Sequence, residues 1–311
     1  MLPSARHLLA IGTCLLAVGA PATAVAAPQS VHRLNPQTLT DLQTSMRGEA
    51  FANASYTFYA DQADREHLPA VADLYRRTAE VELHEHFHEE ALLDGLIGDE
   101  AANLAAAIEG ETYESTTMYP QFAREAEQDG DLNAAALFAE IAKDEAGHNE
   151  AFKAALHVLQ TGEGQVPAPP QADQVPVPAG PPQVHAARTL ANLDTALHGE
   201  ALAFARYTAF AEQAAQSGDA RVAALFTGTA SVELHEHFAG EAVLFGFVKD
   251  TRTNLHGTIA GENYEATFMY PTFAKRARAA GDLEAADLFS DNARDEAGHA
   301  RAFQQALRRI D

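Results

Sequence analysis

The fold of this chain is constrained above all by an internal repeat, whose two copies align without a gap. The stretch Asp-Glu-Ala-Gly-His at 144–148 returns at 295–299, an offset of 151 residues, which is the difference between 296 and 145. The repeat therefore predicts two copies of one structural unit. The same offset pairs five further acids: Glu49 with Glu200, Glu82 with Glu233, Glu85 with Glu236, Glu111 with Glu262, and Glu114 with Glu265.

Each copy contains four amphipathic segments whose apolar residues recur at helical spacing. In the first copy they cover about 38–62, a segment from Pro69, a segment around 104–122, and a fourth that follows the turn at 129–131. Tyr119-Pro120 is expected to bend the third segment, because proline lacks a backbone donor. All four carry acids where a bundle core would have leucines, so the pattern predicts an all-α chain of two four-helix bundles with polar centres.

The repeat also predicts the domain boundaries. Residues 37–159 are expected to form the first bundle, and residues 187–311 the second. Between them lie seven of the fourteen prolines, so residues 160–186 are expected to be an extended linker that does not pack. The two bundles are then expected to form an intramolecular pseudo-dimer, or to stay separate on the linker; a homodimer is a further alternative.

The first 27 residues show the pattern of a secretory signal. A basic residue precedes an apolar run that is too short for a membrane span, and small residues follow at 24–26. We therefore predict that residues 1–27 are a signal peptide and that the protein is exported to a periplasmic, cell-envelope or extracellular location. The only cysteine, Cys14, lies in this segment, so the exported chain is expected to have no disulfide and no cysteine-bound iron.

The charge excludes some classes of partner. The formal net charge of −23 argues against binding to nucleic acid or to anionic lipid. Part of this acidity is expected to lie inside the bundles, where an unpaired carboxylate costs several kcal/mol unless it is paired or bound to metal. Two iron ions would neutralise such a group of acids, and carboxylate oxygen with imidazole suits iron, or manganese as the alternative.

The alternative interpretation is that these acids are solvated residues on helix surfaces. Comparison of the two copies argues against it, because residues elsewhere differ freely: His88 stands opposite Ala239, and Glu89 opposite Gly240. The paired acids do not differ. A Glu and a His three residues apart, as in Glu145 and His148, also share one helix face, and this is the half-site of a carboxylate-bridged dinuclear metal centre.

Both copies resemble the di-iron domain of rubrerythrins, within the ferritin-like superfamily. The matching residues are Gly48-Glu49 with Tyr56, the stretch Gly-Glu-Thr-Tyr-Glu at 110–114 before Met-Tyr-Pro at 118–120, and the Glu145 to His148 pair, each with its copy in the second half. The resemblance implies two tandem ferritin-like bundles with two di-iron centres. It implies as metal ligands Glu49, Glu82, Glu111, Glu114, Glu145 and His148, and in the second copy Glu200, Glu233, Glu262, Glu265, Glu296 and His299.

Two departures from the family pattern affect the expected chemistry. The family carries Glu-x-x-His on its second helix, but three residues after Glu82 comes Glu85, and the histidine follows as His86. Helical phase favours Glu85 as the ligand, and Glu236 in the second copy, while His86 and His237 remain alternatives. The family's rubredoxin-like domain is also missing, because it needs four cysteines, so the electrons are expected to come from an external donor.

The resulting functional prediction is a non-haem di-iron oxidoreductase that reduces hydrogen peroxide to water, with dioxygen as the other candidate substrate. Tyr56, Tyr119, Tyr207 and Tyr270 lie about two turns from predicted ligands. They are expected to hydrogen-bond to the ligand carboxylates, with core packing as their alternative role. The rival functional predictions are a ferroxidase or iron-sequestering protein, and an envelope module that is only stabilised by its metal.

Overall fold

The computed structural model describes residues 34–310, so the predicted signal peptide at 1–27 lies outside the described residues. This part of the chain contains α-helices and short π-helical segments but no strand, which confirms the all-α prediction. None of its helices is long and apolar enough to cross a membrane. The α-helices are α1 Pro36–Arg65, α2 Pro69–Val81, α3 His88–Asp94, α4 Glu100–Tyr113, α5 Tyr119–Asp129, α6 Leu132–Thr161, α7 Ala187–Ser217, α8 Ala220–Val232, α9 Ala239–Phe245, α10 Thr251–Tyr264, α11 Tyr270–Ala280 and α12 Leu283–Ile310.

Local sequence sets the ends of these helices. Asp99 and Asp250 cap α4 and α10, because their side chains accept hydrogen bonds from the backbone N–H groups three residues later. Gly130 and Gly281 end α5 and α11 with positive φ angles of 83° and 90°, a conformation that glycine adopts without steric cost. Each copy thus repeats the same helix boundaries.

Each bundle combines helices from both halves of the chain. Bundle I contains α1, α2, α3, α10, α11 and α12, whereas bundle II contains α4 to α6 together with α7 to α9. Across bundle I, Tyr75 of α2 packs on Phe303 of α12 with ring centroids 4.9 Å apart. Across bundle II, Phe152 of α6 packs on Phe226 of α8 at 5.0 Å.

This exchange of helices corrects the predicted domain division. The ranges 37–159 and 187–311 describe the two sequence repeats, but they do not delimit the two bundles. The physical reason is that both copies bury equivalent faces, so a helix pair from one half fits the other half as well as its own. Helical periodicity is the same in either arrangement.

Helices α1 and α7 pack against each other and join the two bundles. Ala54 and Phe58 of α1 share an apolar cluster with Leu197 and Ala201 of α7. Residues from Leu34 onward form one compact unit. The two bundles are therefore packed together, and the alternative of separate bundles on a linker is not found.

The proline-rich segment lacks regular secondary structure, as expected, but it packs, which corrects the prediction of an unpacked linker. Val177 and Val184 are buried, and the backbone N–H groups of Val175 and Gln183 donate to carbonyls of the second half. A Cβ atom at Gly228 would lie 2.6 Å from Pro169, which explains why glycine stands there while Arg77 occupies the matching place in the first half.

Candidate metal centres

The acids and histidines gather in two buried clusters, one in the centre of each bundle. In each cluster, α1 or α7 supplies one acid, and the π-helical segment after α2 or α8 supplies an acid and a histidine. Helices from the opposite half supply two acids and a second histidine. Site I contains Glu49, Glu82, His86, Glu262, Glu296 and His299; site II contains Glu111, Glu145, His148, Glu200, Glu233 and His237.

Site I consists of two four-residue sets that share two carboxylates. One set is Glu49, Glu82, His86 and Glu296, the other is Glu82, Glu262, Glu296 and His299, and the ligand atoms within each set lie within 4.8 Å of one another. Glu82 has one oxygen 2.9 Å from Nδ1 of His86 and the other 3.1 Å from Nδ1 of His299. Glu296 likewise has one oxygen 2.9 Å from Nδ1 of His86 and the other 3.0 Å from Nδ1 of His299. Glu82 and Glu296 are thus placed to bridge two ions.

Site II repeats this geometry. Glu233 has its oxygens 2.9 Å from Nδ1 of His237 and 3.2 Å from Nδ1 of His148. The corresponding distances for Glu145 are 3.1 and 2.9 Å. The two imidazole centroids are 5.9 Å apart, as they are in site I. Here Glu145 and Glu233 are the shared carboxylates.

The structure corrects the prediction on the second helix: His86 and His237 face the sites, and Glu85 and Glu236 do not. Glu85 is exposed, and the carboxylate of Glu236 accepts a hydrogen bond from the backbone of Asp173. The reason is that residues Glu82–Phe87 and Glu233–Phe238 are π-helical. A π-helix has more residues per turn than an α-helix, so the residue four positions after Glu82, instead of three, returns to the same face.

Glu114 and Glu265 lie beside the sites, although neither belongs to a four-residue set. Each opens a further π-helical segment, Glu114–Met118 or Glu265–Met269, directly before the Tyr-Pro pair that was expected to bend the helix. A Cβ atom at Gly199 would lie 4.0 Å from the carboxylate of Glu114, and one at Gly48 would lie 3.6 Å from that of Glu265. The additional acids thus lie beside the residues that precede Glu200 and Glu49.

All four predicted tyrosines hydrogen-bond to cluster carboxylates, and each does so across the two halves. Tyr56 donates to Glu262 and Tyr207 to Glu111, both at 2.5 Å. Tyr270 and Tyr119 donate to Glu49 and Glu200. These hydroxyls hold one carboxylate oxygen and leave the other directed at the cluster.

Burial and mutual contact shift the proton affinities in both clusters. Burial raises the pKa values of Glu49 and Glu200 well above the usual range of a glutamate, and burial raises the pKa of Glu262 to about 7. Burial by itself lowers the pKa of an imidazole, but contacts with three carboxylates outweigh this effect and raise the pKa of His299 to about 12. The clusters thus favour a compact positive charge at their centres.

The donor set fits a pair of divalent cations. Several buried carboxylate oxygens that point into the clusters lie near imidazole nitrogens but make no hydrogen bond of normal geometry within residues 34–310, among them both oxygens of Glu82 and one each of Glu111, Glu233, Glu262 and Glu296. Leaving such atoms unsatisfied is costly, and a cation would satisfy them together. Four carboxylates in each site also balance the charge of two divalent ions.

Two buried acids next to the sites were missed by the sequence reasoning. Glu90 and Glu241 are fully buried, and neither belongs to a four-residue set. Tyr270 lies 3.1 Å from Glu90, and Tyr119 lies 3.0 Å from Glu241. A signal was present, because the offset of 151 residues pairs Glu90 with Glu241 just as it pairs the cluster acids.

Comparison with known proteins gives one family. The family model described as rubrerythrin matches residues 41–156 and 191–307. A rubrerythrin of Porphyromonas gingivalis is 38% identical over 134 residues, covering 39% of this chain and 66% of that protein. A nigerythrin and a rubrerythrin of Nitratidesulfovibrio vulgaris are each 36% identical, covering 40% of this chain and 67% and 71% of their own lengths. The matches thus span about two thirds of these relatives, and no solved structure matches the chain.

Proposed function

This chain belongs to the rubrerythrin family, and on that premise we propose that it is a di-iron oxidoreductase that reduces hydrogen peroxide to water. The observation that carries the proposal is the pair of four-residue sets that share two carboxylates in each site. In site I, Glu49, Glu82, His86 and Glu296 would hold one ion, and Glu82, Glu262, Glu296 and His299 would hold the other. Site II follows the same scheme with its own residues.

The chemistry of the donors favours iron, with manganese as the alternative. Six carboxylate and imidazole donors in each site suit these metals better than zinc or copper. A bound pair of ferrous ions would supply the two electrons that the reduction of one peroxide requires. The protein has to hold this pair in a dry pocket, and ten of the twelve donor residues of the two sites are at most 2% exposed, the exceptions being His148 and His299.

The remaining residues position the ligands and control protons. The hydroxyls of Tyr56 and Tyr270 fix the orientation of Glu262 and Glu49, so each ligand carboxylate keeps one oxygen free for metal. Burial raises the pKa of Glu114 to about 8, so this acid keeps its proton at neutral pH beside site II. A cation bound in site II would favour the ionised form of Glu114.

Two parts of the proposal rest on the sequence. The electrons are proposed to come from an external donor, since the single cysteine cannot form a four-cysteine iron site. Export to a periplasmic, cell-envelope or extracellular location is proposed from the signal pattern in residues 1–27. Purification of the protein from separated cell fractions tests the location, and a chain that stays in the cytoplasm with residues 1–27 intact would contradict it.

The test of the reaction uses the full chain, loaded with ferrous iron without oxygen and mixed rapidly with peroxide or with dioxygen. We expect each peroxide to oxidise two ferrous ions, at a rate at least about tenfold above that with dioxygen. Glu82→Ala should abolish this reaction in site I, and the exposed Glu85→Ala is its matched control on the same segment. Faster reaction with dioxygen and release of ferric iron would favour a ferroxidase, and absence of redox cycling would favour an envelope module.

A further inference from the structure

Glu90 and Glu241 are two buried acids beside the sites that the proposed chemistry leaves unused. Each lies on the short helix directly after a π-helical segment, four residues after the histidine of its site. Both are fully buried, and the second carboxyl oxygen of each has no hydrogen-bond partner within residues 34–310. A carboxylate in such a place lacks the solvation that its charge requires.

The single hydroxyl proton of Tyr270 indicates the protonation state of Glu90. Its hydroxyl contacts both Glu49 and Glu90, yet it has one proton to donate. If that proton is directed at Glu49, the contact with Glu90 is favourable only when Glu90 is neutral and donates to the tyrosine oxygen. The order Glu90, Tyr270, Glu49 then forms one chain of hydrogen bonds that ends on a predicted metal ligand.

Tyr119 makes the same pair of contacts in bundle II. Its hydroxyl contacts Glu200 and lies 3.0 Å from Glu241. By contrast, Tyr56 and Tyr207 each bond one cluster carboxylate, so only one tyrosine of each site connects a ligand to a second buried acid. The connection occurs twice in the chain, at positions related by the repeat.

We propose that Glu90 and Glu241 are proton-supplying residues, which hold one proton each and pass it through Tyr270 or Tyr119 to the ligand carboxylates Glu49 and Glu200. This inference rests on the proposed function. Reduction of one hydrogen peroxide to two waters takes up two electrons and two protons. Glu90 supplies one proton and becomes a carboxylate, the second proton comes from water, and the external donor restores the electrons before Glu90 regains its proton from solvent.

The surroundings of the two acids support the neutral form. Burial raises the pKa of Glu90 to about 8, while Ser45, His86 and Tyr270 lower it and Glu296 raises it. Burial likewise raises the pKa of Glu241, with Tyr119 and His237 lowering it and Glu145 and Glu114 raising it. Asn292 also donates to Glu90 at 3.0 Å, but in bundle II the repeat places Ile141 of the first half and Ala196 of the second half at the positions of Asn292 and Ser45. Glu241 should therefore keep its proton to a higher pH than Glu90.

The first test is infrared spectroscopy of the full chain prepared without metal. The difference between the wild-type protein and Glu90→Gln should contain the carbonyl band of a buried carboxylic acid at neutral pH, and the band should disappear as the pH rises through about 8. Glu89→Gln, an exposed neighbour on the same helix, should leave this band in place. Absence of the band would overturn the proposal.

The second test is a single turnover of the ferrous protein with peroxide. Glutamine keeps the shape and the hydrogen bond to tyrosine but cannot release a proton, so the double variant Glu90→Gln/Glu241→Gln should retain its iron and react at least about tenfold more slowly. A wild-type rate in this variant would overturn the proton-supplying role. If the wild-type protein itself failed to reduce peroxide, the proposed function would fail, and the infrared band alone would decide whether these acids carry protons.

Discussion

The exchange of helices between the halves predicts which pairs of substitutions damage one site and which damage two. Glu82 and Glu262 are far apart in sequence but lie together in site I, whereas Glu82 and Glu111 share the first half but lie in different sites. The double variant Glu82→Ala/Glu262→Ala should therefore destroy only site I. The double variant Glu82→Ala/Glu111→Ala should damage both sites.

The size of the effect follows from the position of Glu82. It gives one oxygen to each four-residue set, so its removal leaves three ligands for each ion. Three carboxylates would then face the four positive charges of two divalent ions. Loss of a residue that only supports a ligand weakens metal binding by about 10–100-fold. Loss of a shared ligand should weaken both ions of the site by at least about 100-fold.

The assay is metal analysis of the desalted protein, with circular dichroism to verify helix content. Four ligand sets predict four iron ions per wild-type chain, two in Glu82→Ala/Glu262→Ala, and about one in Glu82→Ala/Glu111→Ala, because Glu111 belongs to only one of the two sets of site II. Glu85→Ala/Glu109→Ala, which changes two exposed acids of the same half, should retain four. The reverse order, with two ions in Glu82→Ala/Glu111→Ala and about one in Glu82→Ala/Glu262→Ala, would refute the exchanged bundles.

Three further predictions follow from the same structure. If the two halves are produced together as separate chains, residues 34–162 and 187–311, they should co-purify, because each bundle takes helices from both halves. An iron-binding half that is monomeric by ultracentrifugation would contradict this. Glu114→Ala should change the optical spectrum of iron in site II, whereas Glu109→Ala, at an exposed position, should not. Glu109→Ala should change the free energy of unfolding by about 0.5 kcal/mol or less. In the folded metal-free chain the pKa of Glu90 is raised from its usual 4.5 to about 8. The stability that comes from keeping this proton is therefore complete below pH 4.5, and it is lost as the pH rises to 8. Glu90→Gln should remove a slope of up to about 1.4 kcal/mol per pH unit in urea unfolding, and parallel curves for the two proteins would contradict the assignment.

Most acids of the two clusters could be predicted from the sequence, because buried acids break the apolar pattern of a helix. The repeat identified Glu49, Glu82, Glu111 and Glu145 with their copies, and the structure brings all of these together in the two sites. A buried acid is costly without a partner, so two copies keep it only where the architecture requires it. Glu90 carried the same signal and was overlooked.

The choice between Glu85 and His86 needed the backbone. Helical phase assumes a constant number of residues per turn, and the π-helical segment at Glu82–Phe87 changes that number at the position of the ligands. The same limit applies to the proline-rich segment, since its composition predicts an extended chain but does not show that Val177 and Val184 find apolar partners.

Outside the π-helical segments at Glu82–Phe87 and Glu233–Phe238, the periodicity of the amino-acid sequence shows which face of a helix is buried and which acids that face carries. Which helices share a bundle is visible only in the folded chain, where Glu49 of the first half meets Glu296 of the second. The physical reason is that periodicity records the direction in which a side chain points along its own helix. It contains no information on which of two equivalent copies provides the opposite wall, because either copy would bury the same side chains.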